Sequence, residues 1–237
     1  RWRGESRPPR LSLHARIVLT TSGVLVVGGA AVLWGLEKWS GGDTAFGFWP
    51  ALFTSITART AGFDTMPMNQ LANASLLLVI VFMFMGASPG STGGGGKTTA
   101  LATLFALART RLKGLSGASL HQRSISDKQV GEALTLMLCS ILVVMLGVVL
   151  LTVSEGEGAV QGHARAYVLA YIFEAVSAFG TVGLSMGITP TLSAGGKLVL
   201  IALMFVGRLG PLTFIYALVR RSRAPKYQPA SERIMLG

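Results

Sequence analysis

The sequence predicts an all-α membrane protein built from two parallel repeats. Each repeat is a membrane span, a short re-entrant half-helix with its return loop, and a second span. Three observations predict this. First, only 13% of the 237 residues are charged, 51% are hydrophobic and the mean hydropathy is +0.57. Soluble domains carry about 25% charged residues. Second, of the 21 basic residues, 15 fall in three clusters that flank apolar runs. Third, the two halves match each other at a constant offset of 121 residues.

The apolar runs are 17–36, 71–88 (resuming at 99–108), 130–153 and 196–219. Each is long enough to cross a hydrocarbon core of roughly 30 Å at about 1.5 Å per residue. Two shorter runs, 46–58 and 166–180, are too short to cross comfortably and read as half-helices entering and leaving on one side.

The net charge of +11 raises a nucleic-acid reading, and its distribution removes it. Arg1, Arg3, Arg7, Arg10 and Arg16 precede the first span. Arg109, Arg111, Lys113, Arg123 and Lys128 lie between the second and third, and Arg220, Arg221, Arg223, Lys226 and Arg233 follow the last. The positive-inside rule puts all three clusters, and both termini, in the cytoplasm of a multi-pass protein of the cell (inner or plasma) membrane. The half-helices then dip from outside.

The offset lays "RTAGFDT" on "GTVGLSM" and "MFMGASPGST" on "MFVGRLGPLT". Thr60 meets Thr181, Gly62 meets Gly183 and Gly86 meets Gly207. The expected units are residues 1–120, with a broken second span, and 121–237, with a basic tail. Two spans per unit make the repeats parallel rather than inverted.

Thr-x-Gly directly after a half-helix is the arrangement by which backbone carbonyls replace the water shell of a permeating cation. Glycine permits the dihedrals that turn carbonyls inward, and the C-terminal end of each half-helix favours a cation. Each unit therefore reads as helix–pore loop–helix. The candidate filter residues are Thr60, Ala61, Gly62 and Phe63 in the first and Thr181, Val182, Gly183 and Leu184 in the second. Asp64 is expected at the outer mouth, and Glu174 behind the second loop, holding it.

"GASPGSTGGGGKTTA", 86–100, imitates a phosphate-binding loop, but the glycine expected at 91 is Ser91 and an apolar run, not a short strand, precedes it. As one helix, 71–108 would measure about 57 Å, nearly twice the hydrocarbon core. Pro89 and Gly93, Gly94, Gly95 and Gly96 break it. Lys97 either repels cations in the cavity or snorkels to the interface. Arg208, inside the apolar run 196–219, is expected to face the pore or a partner. No paired acids, base-activated nucleophile or metal cluster indicates an enzyme.

Together "TARTAGFDT", "GASPGSTGGGGKTT", "SAFGTVGLSMG" and "MFVGRLGPLT" resemble the potassium-translocating subunits of the KtrB/TrkH superfamily, the glycine run being closest to the KtrB branch. The resemblance implies four helix–pore loop–helix repeats around one potassium-conducting, potassium-channel-like pore. This chain resembles the third and fourth and is expected to be the C-terminal half of a subunit, the N-terminal half lying elsewhere. It further implies the glycine loop as an intramembrane gate beneath the filter, Arg208 restricting permeation, sodium dependence, a homodimer, and a cytosolic nucleotide-binding regulatory ring (KtrA-like). A secondary cation transporter with alternating access is the rival reading; it would ordinarily need inverted repeats.

Overall fold

The computed structural model describes residues 13–41, 46–85, 93–96, 98–114, 118–120, 123–156 and 164–210. Seven helices appear among them: α1 (Leu13–Trp39), α2 (Phe48–Thr57), α3 (Asn73–Met85), α4 (Thr98–Leu112), α5 (Asp127–Glu155), α6 (Ala164–Gly180) and α7 (Ala194–Leu209). The order long helix, shorter helix, irregular loop, single 3-10 turn, helix occurs twice, as α1–α2–α3 and as α5–α6–α7. The expected break in the second span is present: α3 stops at Met85 and α4 starts at Thr98. The expected end of the last span, 210–219, falls almost entirely outside the described residues.

Among the described residues, two helices are long and apolar enough to cross a membrane, over Val18–Trp39 and Lys128–Glu155. Their surfaces explain why. On α5, Leu138, Ile141, Leu142, Met145, Leu146, Val149 and Val153 are exposed, an apolar face that hydrocarbon would cover. The half-helices show the reverse. Phe173, Ala175, Val176 and Phe179 of α6 and Ala51, Thr54, Ser55 and Thr57 of α2 are buried. Ala51, Phe173, Val176 and Phe179 pack in one core with Leu33 of α1, Leu76, Val79 and Met83 of α3, and Val144 of α5, and Ala175 packs in a second with Leu151 of α5 and Leu200 and Leu203 of α7. α6 is thus enclosed by α3, α5 and α7, whereas α2 packs on α1 and leaves Phe48, Trp49, Phe53 and Ile56 exposed on its other side.

One element departs from the all-α expectation. Between α4 and α5, β1 (Ala118–Leu120) and β2 (Arg123–Ile125) form an antiparallel ribbon pairing Ala118 with Ile125 and Leu120 with Arg123. The ribbon satisfies backbone groups in a connection too short for an apolar period to announce a strand.

Two carboxylates fasten the descending helices. Glu37, in the last turn of α1 and 3% exposed, accepts a hydrogen bond of 2.9 Å from the amide of Ala72, just before α3. Glu155, at the end of α5, accepts from the Ser193 amide at 3.1 Å and from its hydroxyl at 2.8 Å; Ser193 itself caps α7. Ala72 and Ser193 are related by the same offset of 121 (193 − 72). Each carboxylate sits unfavourably at the C-terminal end of its own helix and favourably at the N-terminal end of the next. Glu37→Ala leaves a buried donor without its acceptor, so a stability loss of about 1–3 kcal/mol is expected. Thermal unfolding in detergent measures it, and an unchanged transition would remove Glu37 as a clasp.

Candidate functional site: two threonine–glycine loops and a glycine-rich loop

Both half-helices end by the same local device. Beyond α2, Thr60 has φ 73° and Gly62 φ 80°; beyond α6, Thr181 has φ 51° and Gly183 φ 98°. Glycine enters this left-handed region without penalty. A β-branched threonine does not, and such a backbone costs of order 1–3 kcal/mol. Thr60 and Thr181 are the only non-glycine residues with positive φ among the described residues. Two matched strains at matched positions mark a backbone shape that is held for a purpose.

The two loops touch. A Cβ on Gly183 would lie 3.3 Å from the Cα of Gly62, and one on Gly62 would strike the carbonyl oxygen of Val182. Residues far apart in the chain thus bring their backbones together with no side chain between. Val182 and Leu184 bury their side chains in the core, which anchors the second loop. Ala61 and Asp64 are exposed, and Phe63 is 72% exposed.

The fourth carbonyl of each candidate stretch is already engaged. Thr57 Oγ1 donates to Phe63 O at 2.5 Å, and Ser177 Oγ donates to Leu184 O at 2.6 Å. Each hydroxyl stands near the end of its half-helix and holds the loop that follows. Phe63 and Leu184 therefore serve as tether points, which narrows the expectation that all four carbonyls of each stretch turn inward. Sequence reasoning missed Thr57 and Ser177. Their signal was a hydroxyl six or seven residues before the carbonyl it holds.

Glu174 lies behind the second loop, as expected from the sequence, and is 4% exposed. Its Oε1 accepts from Ser185 Oγ at 2.6 Å and from the Met186 amide at 2.9 Å, and its Oε2 accepts from Thr189 Oγ1 at 2.8 Å. The corresponding residue of the first half is Phe53. The first loop has no carboxylate strut of this kind.

The glycine run lies against the second loop. Gly94, Gly95 and Gly96 are buried. The Gly94 amide donates to Thr181 Oγ1 at 2.8 Å, and the Gly96 amide donates to Phe84 O at 3.3 Å. A Cβ on Gly94 would come within 2.9 Å of Gly207 O and 3.0 Å of Phe179 O. Gly207 is equally constrained, because its Cβ would collide with Phe179 O. The slot is made of backbone and the Thr181 methyl group, which a Cβ on Gly94 would also approach to 2.9 Å. Gly93 lies beside it and is half-buried; Lys97 lies outside the described residues. Arg208, one residue beyond Gly207, lines a cavity of about 740 Å³ together with Glu174, Ser177, Thr181, Gly183 and Met204. The guanidinium-bearing residue and the threonine–glycine loop thus border one space.

Comparison with known proteins identifies the family. Residues 43–227 match the TrkH family, described as cation transport proteins. The potassium/sodium uptake protein NtpJ of Enterococcus hirae is 36% identical over 98% of this chain and 51% of its own length. The Ktr system potassium uptake protein B of Bacillus subtilis is 32% identical over 93% of this chain and 49% of its own. That of Vibrio alginolyticus is 34% identical over 89% and 45%. The chain thus spans about half the length of the curated relatives it matches. The crystal structure of the potassium transporter TrkH from Vibrio parahaemolyticus superposes with a TM-score of 0.61 at 22% identity, over 87% of this chain and 44% of that one; this likeness speaks for the fold. With the family matched over most of the sequence and the helical architecture shared, the chain belongs to the TrkH family of cation transport proteins.

Proposed function

We propose that this chain forms half of the wall of a potassium-conducting pore, and that Thr60–Phe63 and Thr181–Leu184 are two quarters of its selectivity filter. One observation carries the reading. Two Thr-x-Gly loops at a constant offset share left-handed backbones and meet Gly62 to Gly183. Backbone carbonyls at such a meeting point are the ligands a dehydrated monovalent cation needs, and the half-helix C-termini behind them favour positive charge. Potassium is the cargo, with sodium a second cation of the same transport. Residues 1–120 and 121–237 act as third-type and fourth-type repeats. The N-terminal half of the subunit supplies the other two quarters. A second copy as a homodimer and a cytosolic nucleotide-binding ring complete the assembly.

In this reading Gly93–Gly96 are the gate, with Lys97 and Arg208 adding positive charge beneath the filter. The bond from Gly94 to Thr181 supports it, since it joins loop to filter directly. Deleting residues 93–96 removes the Gly94 and Gly96 bonds, each worth about 0.5–1.5 kcal/mol net. Rubidium flux into liposomes should then rise on the order of tenfold. A well-assembled deletion variant with unchanged or lower flux would refute gating by this loop.

A further inference from the structure

We propose that the cytoplasmic end of α4 binds anionic phospholipid headgroups, and that this contact biases the glycine loop at the other end of the same helix. The first observation is the exposed face of α4. Phe105, Arg109 and Leu112 stand at i, i+4 and i+7 and so share one side. Phe105 is 69% and Leu112 90% exposed, and Arg109, Arg111 and Lys113 are exposed beside them. The opposite side, with Ala106 and Thr110, is buried. The helix packs against α5, β1 and α1, and the face with Phe105 and Leu112 stays exposed to the surroundings.

The second observation is charge. Residues 98–126 contain no aspartate or glutamate. Three cations within five residues therefore have no acid in their own segment, and an anionic partner complements them. A phosphodiester headgroup fits best, because the same face carries an aromatic and a leucine that suit acyl chains.

The third observation is position. The helix starts at Thr98, directly after the loop that docks on Thr181. Arg109 to Leu112 lie about 16–21 Å further along. Half of a hydrocarbon core is roughly 15 Å. A helix that begins near mid-depth thus delivers its cations to the headgroup layer. Gly94, Gly95 and Gly96 are buried and Gly94 is bonded to Thr181, so a pull on α4 is a pull on the loop.

Each cation near an anionic surface contributes about a fivefold gain in partitioning. The test compares the wild-type assembly with Arg109→Gln/Arg111→Gln/Lys113→Gln. Phosphatidylglycerol retained after purification is counted by mass spectrometry. Rubidium flux is measured in vesicles of phosphatidylcholine alone and with phosphatidylglycerol added. Phosphatidylglycerol retention several-fold above the triple variant, and flux that depends on phosphatidylglycerol only in the wild type, are expected. Equal retention by both proteins overturns the binding site. Loss of an acidic protein rather than lipid from the triple variant would make the surface a protein dock and overturn the proposal. The link to the loop rests on the pore reading. Wild-type flux that ignores phosphatidylglycerol, while retention differs, overturns that link alone. A wild type without flux in either vesicle overturns the pore reading, and retention still decides the lipid site.

Discussion

Gly183→Ala is expected to lower rubidium flux by about tenfold or more while leaving the assembly intact. The φ of 98° at Gly183 lies where an L side chain is strained, at a cost of order 1–3 kcal/mol. The methyl group would sit 3.3 Å from the Gly62 Cα, so the two loops must part by only a few tenths of an ångström. The strain is therefore relieved by rotating the local peptide planes, which are the planes that carry the Val182 and Gly183 carbonyls. Gly62→Ala should be worse for assembly, because its methyl group would run into the Val182 carbonyl oxygen. Flux through reconstituted protein, set beside size-exclusion profiles, separates the two. Equal loss of flux and assembly in Gly183→Ala would make Gly183 a structural glycine only.

The second large effect is expected at Glu174. Glu174→Ala leaves the Ser185 and Thr189 hydroxyls and the Met186 amide without their acceptor. Orphaning these groups should cost about 2–4 kcal/mol. Glu174→Gln keeps one acceptor oxygen for Ser185 and Met186, and its amide can donate to Thr189. The expected order of damage is therefore alanine, then glutamine, then wild type. Because the strut holds Ser185, Met186 and Thr189, which follow the Thr181–Leu184 loop, the rubidium-to-sodium flux ratio should fall along with thermal stability. Stability that falls while the ratio holds would confine Glu174 to folding. A glutamine variant as damaged as alanine would contradict the hydrogen-bond account.

Much of this site was legible in the sequence because it repeats. Thr60 and Gly62 alone would pass for a turn; the same pair at Thr181 and Gly183, after a second short apolar run, identifies a shared backbone shape. Pro89 and the glycine run announced the break between α3 and α4, since an unbroken helix would overrun the bilayer. The burial of Glu174 followed from its place within an apolar half-helix.

Other features depend on contacts that pattern does not encode. Nothing in the sequence pattern marks Glu37 and Glu155, yet they clasp α3 and α7 through partners 35 and 38 residues away. Thr57 and Ser177 read as ordinary half-helix residues, because a tether to a following carbonyl leaves no periodic trace. The glycine loop was visible, but not which quarter it would engage. The bond from Gly94 to Thr181 spans 87 residues, and only packing selects it. The ribbon between α4 and α5 has three residues per strand, below the length at which alternation can be read.

The two Thr-x-Gly loops are expected to meet on the path of a permeating cation. Anomalous scattering from crystals of the native assembly grown in rubidium tests this most directly. An anomalous peak is expected on the pore axis between the Gly62 and Gly183 loops, lost in Gly183→Ala. Rubidium bound elsewhere in a transporting protein, with nothing at these loops, would contradict it.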